Sequence, residues 1–441
     1  MHRLTSGLFL CLLFAVIAAA DSWPQFRGPN GDGKVDGQNV PIRFSDSDNV
    51  SWKTPLPGKA WSSPVVADGV VWLTTAIEVF PTEEERIEIL TKKGIEPKKF
   101  KQLQVAKQID LKVLSVDLES GAVTRTIDLT SVEEPDSIHS LNSYASPTPV
   151  IDGDNIYCHF GTYGTFCLSR ETGTIKWQRK FPLSHSVGPG SSPLIHGDSL
   201  VLIQDGINSQ YVVSLNKATG ETLWKTDRPE MDAPDGEQKK AYSTPIAITD
   251  QQGRDQLICM ASQWMVAYEP KTGAEIWKVR HGKGFSVVPR PVYNDGVVYF
   301  ATGFGSGKLW AVSVDGAGDV TDTHFKWESS KSIPSKPSPL LHDGLIYVIA
   351  DDGIASCFDA ESGDQIWKKR IGGKFSASPL FVGGYIYLGS HEGVVTVLKP
   401  GKQAVVAAEN KLPGQIMASP AVVDNALILR TSEALYRIES K

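Results

Sequence analysis

The sequence predicts an all-β fold, an eight-bladed β-propeller, from three recurring observations. Short apolar runs rich in β-branched and aromatic residues alternate with turn dipeptides such as Asp343-Gly344, which is typical of antiparallel strands joined by tight turns. A proline precedes the first run of each repeat, and four repeats carry a Gly followed four residues later by Trp, as in Gly363 and Trp367. A four-stranded unit of about forty residues cannot bury its faces alone, so it must stack on copies of itself.

The repeats are counted from the proline that precedes each first strand. The eight aligned prolines are Pro64, Pro149, Pro193, Pro245, Pro291, Pro339, Pro379 and Pro420. Because the units run almost to the C-terminus, the sequence predicts one large repeat domain over residues 49–441 rather than two ordinary domains.

The two ends of the chain are predicted to share one blade. The segment from Val50 to Leu56 reads as the last strand of a unit, whereas the final unit, from Pro420 to Ile438, has only three strands. Pairing these fragments closes the ring and removes exposed sheet edges.

Tryptophans that recur at one structural position are predicted to wedge between neighbouring blades, each with its Nε1–H bonded to a nearby backbone carbonyl. They are Trp52, Trp177, Trp224, Trp277, Trp327 and Trp367.

Residues 1–20 have the features of a secretory signal peptide: a basic start at Arg3, an apolar run from Leu8 to Ile17, and a small-residue cleavage site ending at Ala20. The apolar run is too short to span a bilayer, and the residue before Cys11 is not the small residue of a lipoprotein signal. We therefore expect an exported protein, periplasmic or secreted, without a lipid anchor. Residues 21–48 are predicted to form a turn-rich N-terminal extension.

The charge balance argues against a nucleic-acid partner. The chain has 44 Lys and Arg against 50 Asp and Glu, a formal net charge of −6, and nucleic-acid binders show a basic face instead. We expect a monomer with a solvated, mildly acidic surface.

Four cysteines follow the signal segment. Cys158 and Cys167 flank a predicted hairpin, and a turn centred between them would place them opposite each other, at a spacing that allows a disulfide. Two buried free thiols are the alternative. Cys259 and Cys357 lie in units that are two repeats apart and are predicted to stay reduced. No Cys/His spacing typical of a metal site occurs.

Three long connections are predicted to lie on one face of the propeller: residues 77–108, 130–143 and 227–240. The first carries a capping box, Thr82 with Glu85, and is predicted to be a small helical insert in the first blade. Long loops on one face of a rigid scaffold are where binding normally occurs.

Side chains within five residues of the aligned prolines are candidates for a ligand site around the axis. They are Lys59, Trp61, Tyr144, Tyr242, Arg290, Lys336 and Lys374. Cations and aromatic rings can together hold a planar or anionic ligand, and the same set is compatible with a hydrated channel rim. His139, His185 and His281 are predicted to be solvated loop residues, and no residue is predicted to be catalytic.

The repeated Thr-Gly-x-x-x-Trp blocks resemble the tryptophan-docking motifs of the eight-bladed quinoprotein propellers. That superfamily includes alcohol dehydrogenases that use pyrroloquinoline quinone (PQQ) and the propeller lipoprotein of the outer-membrane assembly machinery. Two segments, Trp23 to Pro29 (WPQFRGP) and Asn142 to Pro149 (NSYASPTP), resemble exported PQQ-binding-like β-propeller repeat proteins of planctomycete-type bacteria. The resemblance implies the fold, and it makes PQQ with calcium the cofactor to consider.

The sequence departs from the dehydrogenases of this superfamily. They carry an adjacent Cys–Cys pair, which does not occur here, and a calcium-binding Glu, Asn and Asp set that we cannot place. The predicted function is therefore a non-enzymatic scaffold that binds a protein partner or a small anionic or planar ligand on the long-loop face, without a cofactor. The alternative is a PQQ-dependent oxidoreductase similar to alcohol or sugar dehydrogenases.

Overall fold

The computed structural model describes residues 22–37, 39–305 and 307–440, so the predicted signal peptide lies outside the described residues. Within these ranges, eight sheets, each built on four antiparallel strands, are arranged as the blades of a propeller, and two of them carry a short fifth strand. First strands of neighbouring blades contact one another, as between blades 1, 2 and 3 and between blades 8 and 1. The first strands therefore surround the axis, and the predicted fold class is confirmed.

The strands of each blade pair in chain order, except in blade 8. Blade 1 comprises Val65–Ala67, Val70–Val79, Gln108–Asp117 and Val123–Glu133, and blade 2 comprises Val150–Asp152, Asn155–His159, Thr165–Ser169 and Ile175–Arg179. Blade 3 comprises Leu194–His196, Ser199–Asp205, Gln210–Asn216 and Thr222–Asp227, and blade 4 comprises Ile246–Thr249, Asp255–Met260, Trp264–Tyr268 and Glu275–Arg280. Blade 5 comprises Val292–Asn294, Val297–Ala301, Leu309–Ser313 and Phe325–Ser329, and blade 6 comprises Leu340–His342, Leu345–Ile349, Ile354–Asp359 and Gln365–Arg370. Blade 7 comprises Leu380–Val382, Tyr385–Gly389, Val394–Lys399 and Val405–Lys411, and blade 8 comprises Ala421–Val423, Ala426–Arg430, Ala434–Ile438 and Val50–Pro55.

The N-terminal strand closes the ring as predicted. Val50–Pro55 pairs antiparallel with Ala434–Ile438 and becomes the outermost strand of blade 8. Trp52, 9% exposed, donates its Nε1–H to the carbonyl oxygen of Leu118 in blade 1 at 2.9 Å. The two ends of the chain are thus joined both within blade 8 and across to its neighbour.

Five tryptophans bond across to the next blade in the same way, at 2.9–3.1 Å. The pairs are Trp52 with Leu118, Trp177 with Lys217, Trp224 with Pro270, Trp327 with Ala360 and Trp367 with Gly401. A Cβ on Gly121 or on Gly363 would lie 2.5 Å from the indole of the preceding blade. The recurring glycine is therefore required, because the ring lies directly against its backbone.

Trp277 departs from the predicted bond to a backbone carbonyl. Its Nε1–H donates to the Gln256 side-chain oxygen at 2.7 Å, and Gln256 Nε2 in turn donates to the Val314 carbonyl in blade 5 at 3.0 Å. The reason is an extra strand, Gly318–Asp319, which pairs with Trp277 and Lys278 and fills the place of the usual glycine turn.

The predicted disulfide between Cys158 and Cys167 is wrong. Cys158 pairs with Phe166, and Cys167 pairs with Tyr157, so the two side chains point to opposite faces of the sheet. The cause is the turn, since residues 161–163 form a 3₁₀ turn that shifts the hairpin by one residue. All four cysteines of the described chain are buried free thiols.

The insert in blade 1 occupies residues 80–107, because its flanking strands are longer than predicted. Helix Glu83–Lys92 begins at the Thr82–Glu85 capping box. A 3₁₀ helix, Pro97–Gln102, follows, and strand Leu103–Gln104 then pairs with Ile138–His139 in the next long loop. No helix in the described ranges is long and apolar enough to cross a membrane.

The N-terminal extension crosses the axial channel, which the sequence did not indicate. Trp23 pairs with Val66 of blade 1, the Pro24 carbonyl accepts from Ile151 of blade 2, and strand Lys34–Val35 adds in parallel to Leu380–Val382 of blade 7. Arg290 of blade 5, four blades away from blade 1, donates to the Phe26 and Gly31 carbonyls, so the segment is held from both sides of the ring. We call residues 23–35 the plug, since they close the channel.

Candidate functional site

A cavity of about 630 Å³ lies at the axis on the long-loop face. Five Phe, Trp and Tyr side chains of the described chain line it: Phe26, Trp61, Tyr242, Phe285 and Phe304. Trp61 is half-buried and donates Nε1–H to the Leu141 carbonyl at 3.0 Å. Phe285 and Phe304 lie with ring centroids 6.5 Å apart, on segments joined by two backbone hydrogen bonds of 3.0 Å. The wall is thus apolar and held in place by backbone contacts.

A ring of hydroxyl groups lies at the base of this cavity. In seven blades the residue before the aligned proline is Ser or Thr, namely Ser63, Thr148, Ser192, Thr244, Ser338, Ser378 and Ser419. Most of these residues donate their backbone N–H to the hydroxyl oxygen of the corresponding residue in the next blade, at 2.9–3.1 Å. The hydroxyls are therefore used to join the blades. The Ser/Thr-Pro dipeptides were visible in the sequence and could have predicted the ring.

Blade 5 interrupts the ring with Arg290. Its backbone N–H donates to the Ser338 hydroxyl at 2.9 Å, and its guanidinium spans the gap to blade 4 by donating Nε–H to the Pro245 carbonyl at 3.2 Å. The same guanidinium bonds the plug through the carbonyls of Phe26 and Gly31, at 2.7 and 3.1 Å. Arg290 is 2% exposed, so it is an internal link and not part of an exposed rim.

The predicted ligand residues divide into two groups. Trp61, Tyr242 and Lys336 line the cavity, whereas Lys59, Tyr144, Arg290 and Lys374 do not. Tyr144 is fully buried and donates its hydroxyl to the Asp136 carbonyl. Lys59 bonds Gln104 and lies over the Trp61 ring, and Lys374 is exposed.

One corner of the cavity is polar. Lys336 lies 3.4 Å from Asp351, and the Ser376 hydroxyl lies 2.8 Å from His391 Nε2. Burial and the Lys336 charge both lower the pKa of His391 and of His139, which favours neutral imidazoles at neutral pH. This corner can donate hydrogen bonds to a carboxylate or an amide.

Long loops raise a wall on one side of the cavity. We call this the loop wall, residues 97–104, 138–146, 183–190, 236–242 and 285–288. Hydrogen bonds connect it from end to end: Ser140 to Gln102, His139 to Val187, Lys240 to Ser186 and Ser286 to Lys240. These segments belong to blades 1 to 5, so one side of the mouth is walled more heavily than the other.

Two of the histidines predicted to be solvated are buried. His185 is 8% exposed and lies beside the Tyr242 ring, at 6.3 Å between centroids, and His281 is 2% exposed. Burial lowers the pKa of both imidazoles to about 4, and that of His159 to about 3. The sequence could not show this, because their burial depends on the loop wall and on the packing of successive blades.

We expect stability to fall as the pH is lowered through about 6.5. The three imidazoles bind protons near that pH when unfolded but only near pH 3–4 when folded, so the unfolded state binds more protons in between. The urea midpoint measured from pH 7 to pH 4.5 should decrease, and His185→Phe should reduce the slope. His196→Phe, at a more exposed histidine, is the control; an unchanged slope in His185→Phe would contradict this assignment.

The cavity does not fit the calcium that accompanies PQQ in the dehydrogenases. None of the described residues that line it is Asp or Glu, whereas calcium takes six to eight oxygen ligands, carboxylates among them. The ring hydroxyl oxygens already accept backbone N–H groups. Lys336 is the one Lys or Arg among the lining residues in the described part of the chain, which leaves a single cation to face a quinone with several carboxylates.

Comparison with known proteins identifies the family. A family model described as outer membrane protein assembly factor BamB matches residues 44–226, 261–400 and 351–440. The chain belongs to this family. The predicted resemblance to PQQ-like propellers is thereby confirmed, and the matched residues include strands from every blade.

Individual relatives of this family member differ in what they do. The assembly factor BamB of Burkholderia pseudomallei is 34% identical over 115 residues, which are 25% of this chain and 29% of that protein. A tetrathionate hydrolase of Acidithiobacillus ferrooxidans is 24% identical over 252 residues, 55% of this chain and 48% of the relative. The chain therefore matches about half or less of the length of these relatives.

A solved structure of a europium-containing methanol dehydrogenase is similar in fold, with a TM-score of 0.65 and 10% identity. The match covers 94% of this chain and 90% of the other. At this identity the likeness concerns the fold alone, so function has to be argued from the site.

Proposed function

We propose that this chain is an exported, non-catalytic scaffold that binds a segment of a protein partner at the axial cavity. The observation that carries the proposal is the composition of the cavity. Its wall is aromatic, and the hydroxyl groups of its ring accept hydrogen bonds between blades. Its polar corner, where Lys336 pairs with Asp351, offers hydrogen bonds. An apolar or aromatic side chain fits such a wall, and a neighbouring carboxylate or backbone amide fits the corner.

The loop wall supports a protein occupant over a small one. Large apolar side chains of the cavity are exposed, namely Leu141 of the loop wall at 46% and Phe304 at 37%. Large apolar side chains left in solvent beside a concave site are typical of partner-binding surfaces. Three of the four curated relatives are named as outer membrane protein assembly factors, which supports the same class of function and an exported location; the fourth is the tetrathionate hydrolase.

Site-specific photocrosslinking tests the proposal. Replacing Phe304, which lines the cavity and is 37% exposed, with p-benzoylphenylalanine should give one discrete protein adduct in cells. Phe325 is the matched control, since it is 39% exposed but lies on the outermost strand of blade 5. Adducts of equal yield at both positions, or none at position 304, would contradict the proposal.

The oxidoreductase alternative of the sequence prediction is tested separately. The purified chain is mixed with PQQ and calcium, and dye reduction is assayed with alcohols and sugars. We expect no turnover above that of the same chain without PQQ. Robust PQQ-dependent turnover would replace the scaffold proposal with the oxidoreductase alternative.

A further inference from the structure

The plug carries a buried arginine whose hydrogen bonds are incomplete. Arg27 is 2% exposed, and its Nη2 donates to the Asp32 carbonyl at 2.6 Å. Its Nε and Nη1 have no hydrogen-bond partner among the described residues. A guanidinium removed from water with two nitrogens unpaired is costly, so these groups require an acceptor.

A second buried arginine makes the charge imbalance larger. Arg290, also 2% exposed, reaches the same plug, and the charge of Arg27 adds to burial in lowering the pKa of Arg290 to about 9. The carboxylate that acts on both guanidiniums is Asp32, which also pairs with Lys34 at 3.5 Å from the more exposed side. Two buried cations against one shared carboxylate leave about one positive charge uncompensated.

We infer that the axial channel binds a small monovalent anion, a halide or a formate-sized carboxylate, against the unpaired Nη1 of Arg27. The monovalent charge matches the uncompensated charge, and the donors are N–H groups suited to an anion. A Cβ on Gly33 would lie 2.8 Å from Arg27 Nη2 and 3.0 Å from Nε, so the plug backbone covers that edge of the guanidinium. The opposite edge, with Nη1, is the one left for a small ion.

The anion would fix the plug in the channel. Phe26, next to Arg27, lines the cavity and accepts a hydrogen bond from Arg290. At the other end of the plug, Trp23 pairs with Val66, which lies three residues, or about 10 Å along the strand, below Ser63 of the hydroxyl ring. The anion site therefore lies with the plug below the cavity. This inference does not depend on the proposed function, since it concerns the plug and not the partner.

The test is thermal melting at constant ionic strength. Chloride or formate, at 0 to about 100 mM, replaces gluconate, an anion that is too large for the channel. A ligand that binds the folded state raises Tm in proportion to the logarithm of its concentration once that concentration exceeds Kd. We expect Tm to rise by several degrees in the wild type and not in Arg27→Gln. Arg43→Gln, at an exposed arginine of the same extension, should respond as the wild type does. Equal responses to chloride in wild type and Arg27→Gln would overturn the inference.

Crystals grown with bromide keep the inference testable if Arg27→Gln fails to fold. The wild-type protein should show an anomalous difference peak within about 3.5 Å of Arg27 Nη1, a normal contact for an ion of this kind. An ordered water at that place, with no anomalous signal at 100 mM bromide, would show that water supplies the acceptors and would overturn the anion site.

Discussion

Trp52→Ala is expected to lower the free energy of unfolding by about 3–5 kcal/mol, the usual cost of truncating a buried large aromatic residue. Trp52 is 9% exposed, donates to the Leu118 carbonyl and lies against Gly121 of blade 1. Its loss opens the junction between blade 8 and blade 1, which is the junction that the two ends of the chain close. Urea unfolding followed by tryptophan fluorescence and by circular dichroism measures the effect.

Trp327→Ala is the matched control, because Trp327 has nearly the same exposure, 8%, and the same kind of bond to the Ala360 carbonyl, but between blades that are continuous in the chain. Both variants should lose similar stability. A midpoint unchanged in Trp52→Ala but lowered in Trp327→Ala would contradict closure by the N-terminal strand.

Asp205→Ala is expected to cost about 3–5 kcal/mol as well, because it leaves a buried arginine without its counter-charge. Asp205 and Arg228 have side chains that are 0% and 1% exposed, and two hydrogen bonds of 3.1 and 3.0 Å join them. Arg228 also donates to the Met260 carbonyl of blade 4. Removing the carboxylate therefore destabilises the contact between blades 3 and 4, as measured by urea unfolding.

Two variants check the reason for that cost. The double variant Asp205→Leu with Arg228→Met removes both charges and should recover most of the lost stability. Asp352→Ala breaks an ion pair with Arg370 whose side chains are 63% and 62% exposed, and it should change stability by less than about 1 kcal/mol. A double variant as unstable as Asp205→Ala would show that packing, and not the unpaired charge, sets the cost.

The blades could be predicted from the sequence because the signals that define them are local and repeated. The Pro-strand-turn pattern and the Gly and Trp positions occur in unit after unit. A strand that is ambiguous in one unit can therefore be assigned by comparison with the other units. Closure by Val50–Pro55 followed from counting strands. The hairpin of Cys158 and Cys167 failed for the opposite reason: one residue in a single turn sets its register, and no repeat supplies that information.

The site was only partly predictable. Trp61, Tyr242 and Lys336 were found because they lie near the aligned prolines. Phe285 and Phe304 were missed since they come from irregular loops, and Arg290 was assigned to the rim because its sequence position is right while its side chain turns inward to the plug. The path of the plug across the channel depends on contacts with several distant blades, which local patterns do not encode.

The outermost strand of blade 8 has a consequence for how the protein is made. Ser51 bonds Glu439, 388 positions away in the chain. Strand Val50–Pro55 is therefore synthesised long before the strands that it pairs with, and blade 8 can form only after they have been made. Such a high contact order predicts slow final folding. Until then Ala434–Ile438 presents an unpaired edge, which is open to pairing with other chains. Assembly of the ring is thus a late event, and the interval before it is the period in which this protein most needs protection from aggregation.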